Sequence, residues 1–255
     1  MPDSPLHHRI EGTGPKVVLL HPVGLDLTFF DPLVANLVSQ FQILRMDQRG
    51  HGRSPASDDP RSLSDYARDI HNLLTDVAFR PAVIVGFSFG GMLAQTVALE
   101  YPADARALVI SACPSTLTEA SRQVMAERGA LAQREGMAAV VEATMERWFT
   151  PVFRASPASA PVRRRLLTAN VRAWAQAWSA IAQIDTAPRL ASIRVPTLCL
   201  AGEADLAAPP HVVEAIAKGI PGACFELIHG APHMLFIERP YAVALAMASF
   251  LARVR

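Results

Sequence analysis

Short apolar segments alternate with longer segments of helical periodicity along most of this 255-residue chain. Strands buried on both faces have continuous apolar sequences, and six such segments are predicted as strands: Lys16–Leu20, Gln42–Met46, Ala82–Val85, Ala107–Ile110, Thr197–Leu200 and Cys224–Ile228. The segments between them are predicted as helices: Thr28–Val38, Leu63–Val77, Met92–Glu100, His211–Lys218 and Tyr241–Val254. The alternation predicts an α/β fold, with a mostly parallel central sheet and helices on both of its faces.

One long segment interrupts this alternation. Between Pro114 and about Ile184 no strand is predicted, but three helices are, at Leu117–Arg134, Met137–Phe149 and Val162–Ile184. The Pro- and Ser-rich stretch "RASPASAPVRRR" predicts a loop between two of them. We therefore expect a core domain made of residues 1–113 and 187–255, with a helical cap at residues 114–186 inserted after a strand.

Composition excludes several classes of function. The chain has 24 Lys and Arg against 23 Asp and Glu, so no overall charge attracts nucleic acid or an anionic membrane. The three cysteines form no CxxC pair, which argues against a disulfide framework or a zinc site. No apolar run approaches the roughly 20 residues of a membrane span, and the N-terminus has no signal-peptide core. We expect a cytoplasmic protein without nucleic-acid or membrane partners, and homo-oligomerisation remains possible.

The stretch "VIVGFSFGGMLAQ" contains the main functional signal. Ser88 lies between Gly86 and Gly90, directly after a predicted strand and just before a predicted helix. This arrangement matches the G-x-S-x-G nucleophile elbow, in which glycines allow close backbone packing around an exposed serine. The alternative is a serine that only caps a helix.

A serine nucleophile requires a general base and an orienting acid, which in this motif follow in the order Ser, Asp or Glu, His. Asp205, in "LCLAGEADLAAPP", comes after a predicted strand and is the candidate acid. Glu203 is the alternative, although the spacing from Gly202 favours Asp205. For the base, "IHGAPHMLFIERP" offers His229 and His233, of which His233 lies in the loop before the last helix.

Two further features of these loops bear on chemistry. The i, i+4 spacing of His229 and His233 could bind zinc on a helix, but the Gly and Pro residues between them make a helical metal site implausible, and no metal is expected. An oxyanion hole needs two backbone N–H groups. Phe89 follows the nucleophile, and Val23 follows Pro22, which has no N–H, so these two residues are the predicted donors.

Taken together, these elements resemble the α/β-hydrolase superfamily over nearly the whole chain. The motifs that carry the resemblance are His21-Pro22-x-Gly24, Asp47-x-Arg49-Gly50-His51-Gly52-x-Ser54, Gly86-x-Ser88-x-Gly90-Gly91, Gly202-x-x-Asp205 and Pro232-His233. The resemblance implies a Ser88, His233 and Asp205 triad without a cofactor, and a structural role for "DQRGHGRS". It also implies that "LHHRIEGTG" is the family's second strand, with the first reduced or missing.

Within the superfamily, "GMAAVVEATMERWFTPVF" and the later "AIAQID" resemble the cap of 3-oxoadipate enol-lactonases. Those enzymes open an enol-lactone that carries a separate carboxylate, during bacterial aromatic degradation. Phe87, Phe89 and the stretch "AWAQAW" depart from that group's pattern, which affects the expected substrate more than the chemistry.

Cap residues are the candidates for substrate contact. Trp174 and Trp178 share a helical face, and with Trp148 they either line a pocket or pack in the core. Arg147 is the candidate for binding a carboxylate.

The expected partner is a small ester or lactone. Alternatives on the same triad are a carbon–carbon bond hydrolase of ring-cleavage products and a general esterase or perhydrolase. A ligand-binding protein without catalysis is a more distant alternative.

Overall fold

A central seven-stranded sheet organises the protein, whose computed structural model describes residues 5–59 and 61–254. The strands are β1 His8–Glu11, β2 Lys16–Leu20, β3 Gln42–Met46, β4 Ala82–Phe87, β5 Ala105–Ser111, β6 Thr197–Gly202 and β7 Cys224–Ile228. Their order across the sheet is β1-β3-β2-β4-β5-β6-β7, and only β1 runs antiparallel to its neighbour. The predicted α/β fold with a mostly parallel sheet is confirmed.

Eleven α-helices belong to the described residues. They are α1 Asp31–Leu37, α2 Leu63–Asp76, α3 Phe89–Glu100, α4 Glu119–Glu135, α5 Ala138–Trp148, α6 Pro151–Ala155, α7 Ser159–Leu167, α8 Val171–Ala182, α9 Pro210–Gly219, α10 Leu235–Glu238 and α11 Pro240–Arg253. Every residue of β4 and β6 is buried, as the central strands of a covered parallel sheet require. No helix among residues 5–59 and 61–254 is both long and apolar enough to cross a membrane.

The strand nearest the N-terminus forms one edge of the sheet. β1 pairs with β3 only, from His8 opposite Met46 to Glu11 opposite Ile43. Within the described part of the chain no strand lies outside β1. β1 is only four residues long, so this edge of the sheet exposes little unpaired backbone.

The helical segment between β5 and β6 differs from its prediction. It contains five helices, α4 to α8, instead of three. The predicted loop around "RASPASAPVRRR" is wrong, because most of this stretch belongs to α6 and α7, with only Ser156 to Ala158 between them. The single predicted helix Val162–Ile184 is also wrong. The side chain of Asn170 accepts a hydrogen bond from the Ala173 N–H (3.0 Å) and starts a new helix, α8.

The turn between β4 and α3 has the geometry of a tight elbow. Ser88 adopts φ 53° and ψ −114°, a strained conformation for a residue with a side chain, and its N–H donates to the Ser111 carbonyl (2.8 Å). A Cβ atom at Gly86 would lie 2.1 Å from the Gly90 oxygen, and one at Gly90 would lie 2.0 Å from the Leu20 oxygen. Both glycines are therefore required by close backbone contact.

Replacement of Gly86 by alanine tests this packing. The added methyl group meets a backbone oxygen that cannot rotate away, so we expect Gly86→Ala to lower the free energy of unfolding by about 3 kcal/mol in urea denaturation. Gly222→Ala is the control, since a Cβ at Gly222 meets no atom within 4 Å. Its only cost is that of a side chain at a positive φ, about 1 kcal/mol of the free energy of unfolding. Equal losses in the two variants would contradict the packing argument.

Candidate active site

A row of hydrogen bonds joins the three side chains predicted as a triad. The Oγ atom of Ser88 lies 3.1 Å from His233 Nε2, and His233 Nδ1 lies 2.8 Å from Asp205 Oδ2. His233 and Asp205 are only 2% and 3% exposed. The structure therefore brings together three residues that are 28 to 145 positions apart in the sequence.

Asp205 fixes the orientation of the imidazole. Its Oδ1 atom accepts the N–H groups of Ala207 (2.7 Å) and Ala208 (2.8 Å), which leaves Oδ2 for His233. A carboxylate beside Nδ1 requires the proton on that nitrogen, so the lone pair of Nε2 points at Ser88. This is the tautomer in which the histidine can remove the serine proton.

The alternative residues lie at the surface. Glu203 is half-exposed and approaches His229 Nδ1 at 3.4 Å, and it also accepts the N–H of Gly230 at 2.8 Å. These two contacts, the backbone one first, hold the pKa of Glu203 below its usual range. Glu203 and His229 thus pair with each other, while Asp205 and His233 are buried beside Ser88.

The two predicted oxyanion donors flank the serine. Phe89 begins α3, where a helix leaves its first N–H groups without partners, and Val23 lies in the loop after β2. Among the described residues neither N–H donates to another backbone group outside the helices and strands. Val23 and Ser88 also line one cavity.

His21 shapes the loop that carries Val23. Its Nδ1–H donates to the Pro22 carbonyl (2.7 Å), and its Nε2 accepts the N–H of Gln48 (3.1 Å). Burial lowers the pKa of His21, so the ring is neutral and keeps one donor and one acceptor. The loop is therefore tied to the end of β3.

The "DQRGHGRS" loop makes the contacts of a structural element. Asp47 accepts the N–H groups of Leu27 (2.7 Å) and Arg53 (2.8 Å), and Arg49 pairs with the buried Asp69 at 3.0 Å. His51 is 5% exposed and its Nδ1–H donates to a backbone carbonyl (3.1 Å). Burial, and then the neighbouring His21, lower the pKa of His51 to about 3.

A cavity of about 50 Å³ lies between the Ser88 loop and the helical segment. Its wall combines apolar side chains with the reacting groups: Val23, Ser88, Met92, Ala112, Pro114, Leu117, Met125, Arg147, Trp148, Trp178, Ile181, Ala207, Ala208 and His233. Of the residues predicted as substrate contacts, Arg147, Trp148 and Trp178 line this cavity. The rings of Trp148 and His233 are 6.1 Å apart, so this tryptophan also backs the imidazole.

Trp174 does not line this cavity, and packing is the alternative that describes its position. Trp174 lies one helical turn before Trp178, and their ring centres are 5.6 Å apart. Because one turn advances the chain along the helix axis, Trp174 lies beyond the end of the cavity that Trp178 lines. A Cβ at Gly24 would lie 2.5 Å from the Trp174 ring. Trp174 thus packs against the loop after β2 and lines a neighbouring pocket of about 190 Å³.

Hydrogen bonds connect the end of helix α5 to the loop that carries His233. The N–H of Met234 donates to the carbonyl of Trp148 (3.1 Å). Just after α5, the backbone N–H and the hydroxyl of Thr150 donate to the carboxylate of Glu238 (2.9 and 2.6 Å). The wall formed by Trp148 therefore has a fixed position relative to the imidazole.

Sequence reasoning missed the contribution of α4. Met125 lines the cavity, and Arg128, three residues later on the same helical face, lies over Trp178. The sequence predicts the helix Leu117–Arg134, but nothing in it distinguishes Met125 from the other apolar residues of that helix.

Comparison with known proteins gives concordant matches. A family model described as the alpha/beta hydrolase fold matches residues 15–240. A 3-oxoadipate enol-lactonase of Acinetobacter baylyi is 28% identical over 94% of this chain and 90% of its own length. The crystal structure of the enol-lactonase from Burkholderia xenovorans has 30% identity and a TM-score of 0.92, covering 97% and 96% of the two chains. That of a hydrolase from Pseudomonas aeruginosa has 31% identity and a TM-score of 0.92, covering 96% and 94%. These matches confirm the resemblance seen in the sequence.

The depressed pKa of His51 predicts a pH dependence of stability. The unfolded imidazole takes up a proton near pH 6.5, whereas the folded one stays neutral down to about pH 3, so unfolding is favoured as the pH falls through this range. At about 1.4 kcal/mol per pH unit, His51 lowers the free energy of unfolding by about 2 kcal/mol between pH 7 and pH 5. Urea denaturation of His51→Gln should show a pH-dependent loss smaller by that amount, and an unchanged loss would contradict the assignment.

Proposed function

This chain belongs to the α/β-hydrolase fold family and is an enzyme of the hydrolase class, and we propose that it cleaves a carboxylic ester or lactone through Ser88, His233 and Asp205. The observation that carries the proposal is the hydrogen-bonded row from Ser88 Oγ through both ring nitrogens of His233 to Asp205. A buried carboxylate behind a histidine and a serine within hydrogen-bond reach is the geometry of an activated nucleophile.

In the first half of the reaction, Ser88 Oγ attacks the substrate carbonyl while His233 Nε2 takes the hydroxyl proton. The negative charge of the tetrahedral intermediate lies on the former carbonyl oxygen, which the N–H groups of Val23 and Phe89 bind. His233 then gives its proton to the leaving oxygen. An acyl-enzyme results, and in a lactone the leaving alcohol or enol stays attached to the acyl group.

In the second half, His233 removes a proton from water, and the resulting hydroxide attacks the acyl carbonyl. The intermediate collapses, Ser88 regains its proton from His233, and the acid leaves. Throughout, Asp205 stabilises the imidazolium form of His233. Each oxyanion donor contributes about 3 kcal/mol to lowering the barrier, as measured for other hydrolases that stabilise an oxyanion in this way.

The substrate class that we propose is an enol-lactone or a related small ester. Two of the relatives described above are enol-lactonases, at 28% and 30% identity. The mostly apolar lining of the cavity beside Ser88 supports a substrate whose acyl part is largely hydrocarbon. Arg147, on the wall of the cavity, provides a positive charge for a substrate carboxylate.

Removal of the serine hydroxyl tests the nucleophile. We expect Ser88→Ala to lose covalent labelling by a fluorophosphonate probe and to lower kcat by a factor on the order of 10⁶, because no other group then forms the acyl-enzyme. Ser249→Ala is the control, since Ser249 is an exposed serine on α11, and it should be labelled like the wild type. Labelling that persists in Ser88→Ala would refute the assignment.

Removal of one carboxylate charge decides between the two candidate acids. We expect Asp205→Asn to lower kcat about 10⁴-fold on any ester that the wild type hydrolyses, because the amide no longer selects the required tautomer of His233. Glu203→Gln should leave kcat within about 2-fold, since Glu203 faces solvent and pairs with His229. The reverse ranking of the two variants would make Glu203 the acid.

A further inference from the structure

A second and larger cavity, of about 300 Å³, lies within the helical segment between α4, α5 and α8. Most of its lining is apolar: Val124 and Leu131 of α4, Ala139, Val140 and Ala143 of α5, and Trp174 of α8. It is open to solvent, because three of these residues, Val124, Ala139 and Ala143, are exposed. We call this cavity the apolar groove.

Three polar residues also line the apolar groove, and two of them are already paired. The hydroxyl of Thr144 donates to a carbonyl of its own helix (2.7 Å), and the exposed carboxylate of Glu127 pairs with Arg134 (2.6 Å). The third is Arg128. Apart from this residue, the groove offers a ligand mainly apolar surface and no unpaired polar side chain among its lining residues.

The apolar groove continues the Ser88 cavity along the same three helices. On each helix a residue that lines the groove lies about one turn from a residue that lines the cavity: Arg128 from Met125 on α4, Thr144 from Trp148 on α5, and Trp174 from Trp178 on α8. The two spaces are therefore neighbouring parts of one cleft between α4, α5 and α8.

Helix α4 runs antiparallel to α8, so the cavity and the groove lie end to end. Near the cavity Arg122 donates to the Ala182 carbonyl (2.7 Å), and near the groove the indole N–H of Trp174 donates to the Arg128 carbonyl (3.4 Å). The Arg128 side chain lies at the junction, because it lines the groove and its guanidinium carbon is 5.2 Å from the ring centre of Trp178. No carboxylate among residues 5–59 and 61–254 lies at ion-pair distance from Arg128, and its Nε atom has no partner there. No ion pair therefore breaks when this side chain moves aside.

We propose that the apolar groove binds the far end of a hydrocarbon chain on the substrate's acyl group, whose carbonyl lies at Ser88. A hydrocarbon chain needs no hydrogen-bond partner and gains free energy when it leaves water, which suits this lining. One helical turn rises about 5.4 Å, roughly the length of four methylene groups, so the groove adds about four carbons to the chain that the cavity holds. This inference rests on the proposed ester or lactone hydrolysis and assigns it an acyl group of medium length.

The test compares two esters that differ by four methylene groups. Hydrolysis of p-nitrophenyl butanoate and p-nitrophenyl octanoate is followed by release of p-nitrophenol, at concentrations where both esters are dissolved. A fully buried methylene group strengthens binding about 4-fold, and the groove is open on one side, so the octanoate ester should have a kcat/KM about 10- to 100-fold higher in the wild type. A kcat/KM that is equal or higher for the butanoate ester would overturn the proposal.

A substitution that fills the groove locates the chain. Ala143 is an exposed helix residue that lines the groove, so Ala143→Phe adds a ring there without disturbing a buried position. It should lower kcat/KM for the octanoate ester about 10-fold or more and leave the butanoate ester within about 2-fold. Ala126→Phe is the matched control, because Ala126 is an exposed alanine of α4 that does not line the groove, and it should behave as the wild type. An equal loss on both esters in Ala143→Phe, or no loss on the octanoate ester, would overturn the proposal.

Binding of the product acids distinguishes failure of this inference from failure of the proposed function. Calorimetry on Ser88→Ala should show that octanoate binds about 10- to 100-fold more tightly than butanoate, and addition of Ala143→Phe should remove most of that difference. Hydrolysis of both esters with equal kcat/KM would refute the chain site and leave the ester chemistry intact. Absence of hydrolysis, with octanoate still bound more tightly than butanoate, would refute the hydrolysis and retain the chain site.

Discussion

The turn at Ser88 depends on two positions where a side chain cannot fit. A Cβ at Gly86 or Gly90 would lie within 2.1 Å of a backbone oxygen. Because neither glycine has a Cβ, β4, α3 and β2 can approach one another closely. This close approach holds Ser88 in a strained conformation at the end of β4. It also places the N-terminus of α3 directly after Ser88. The other groups of the site are arranged around a serine whose position is set by backbone packing.

Parallel strands explain why distant residues converge on that serine. Val23 follows β2, Ser88 follows β4, Asp205 follows β6 and His233 follows β7, and the carboxyl ends of these strands lie at one edge of the sheet. Asp205 uses one carboxylate oxygen for its own loop and the other for His233, so local folding and the orientation of the imidazole are linked. The helical segment adds the opposite wall, with Arg147, Trp148 and Trp178.

The sheet and the hydrogen-bonded row of Ser88, His233 and Asp205 could be predicted from the sequence because each has a local signal. Buried parallel strands are continuous apolar runs, and the elbow motif fixes the order in which its partners follow. The helical segment has no comparable signal. Asn170 starts α8 through a side-chain cap that competes with a continuous helical pattern, and Trp174 misses the cavity by one helical turn.

The hydrogen bond from Met234 to the carbonyl of Trp148 links a wall of the cavity to the loop that carries the imidazole. A shift of α5 would therefore strain or break this bond, so the position of the cavity wall and that of the loop beside His233 are coupled.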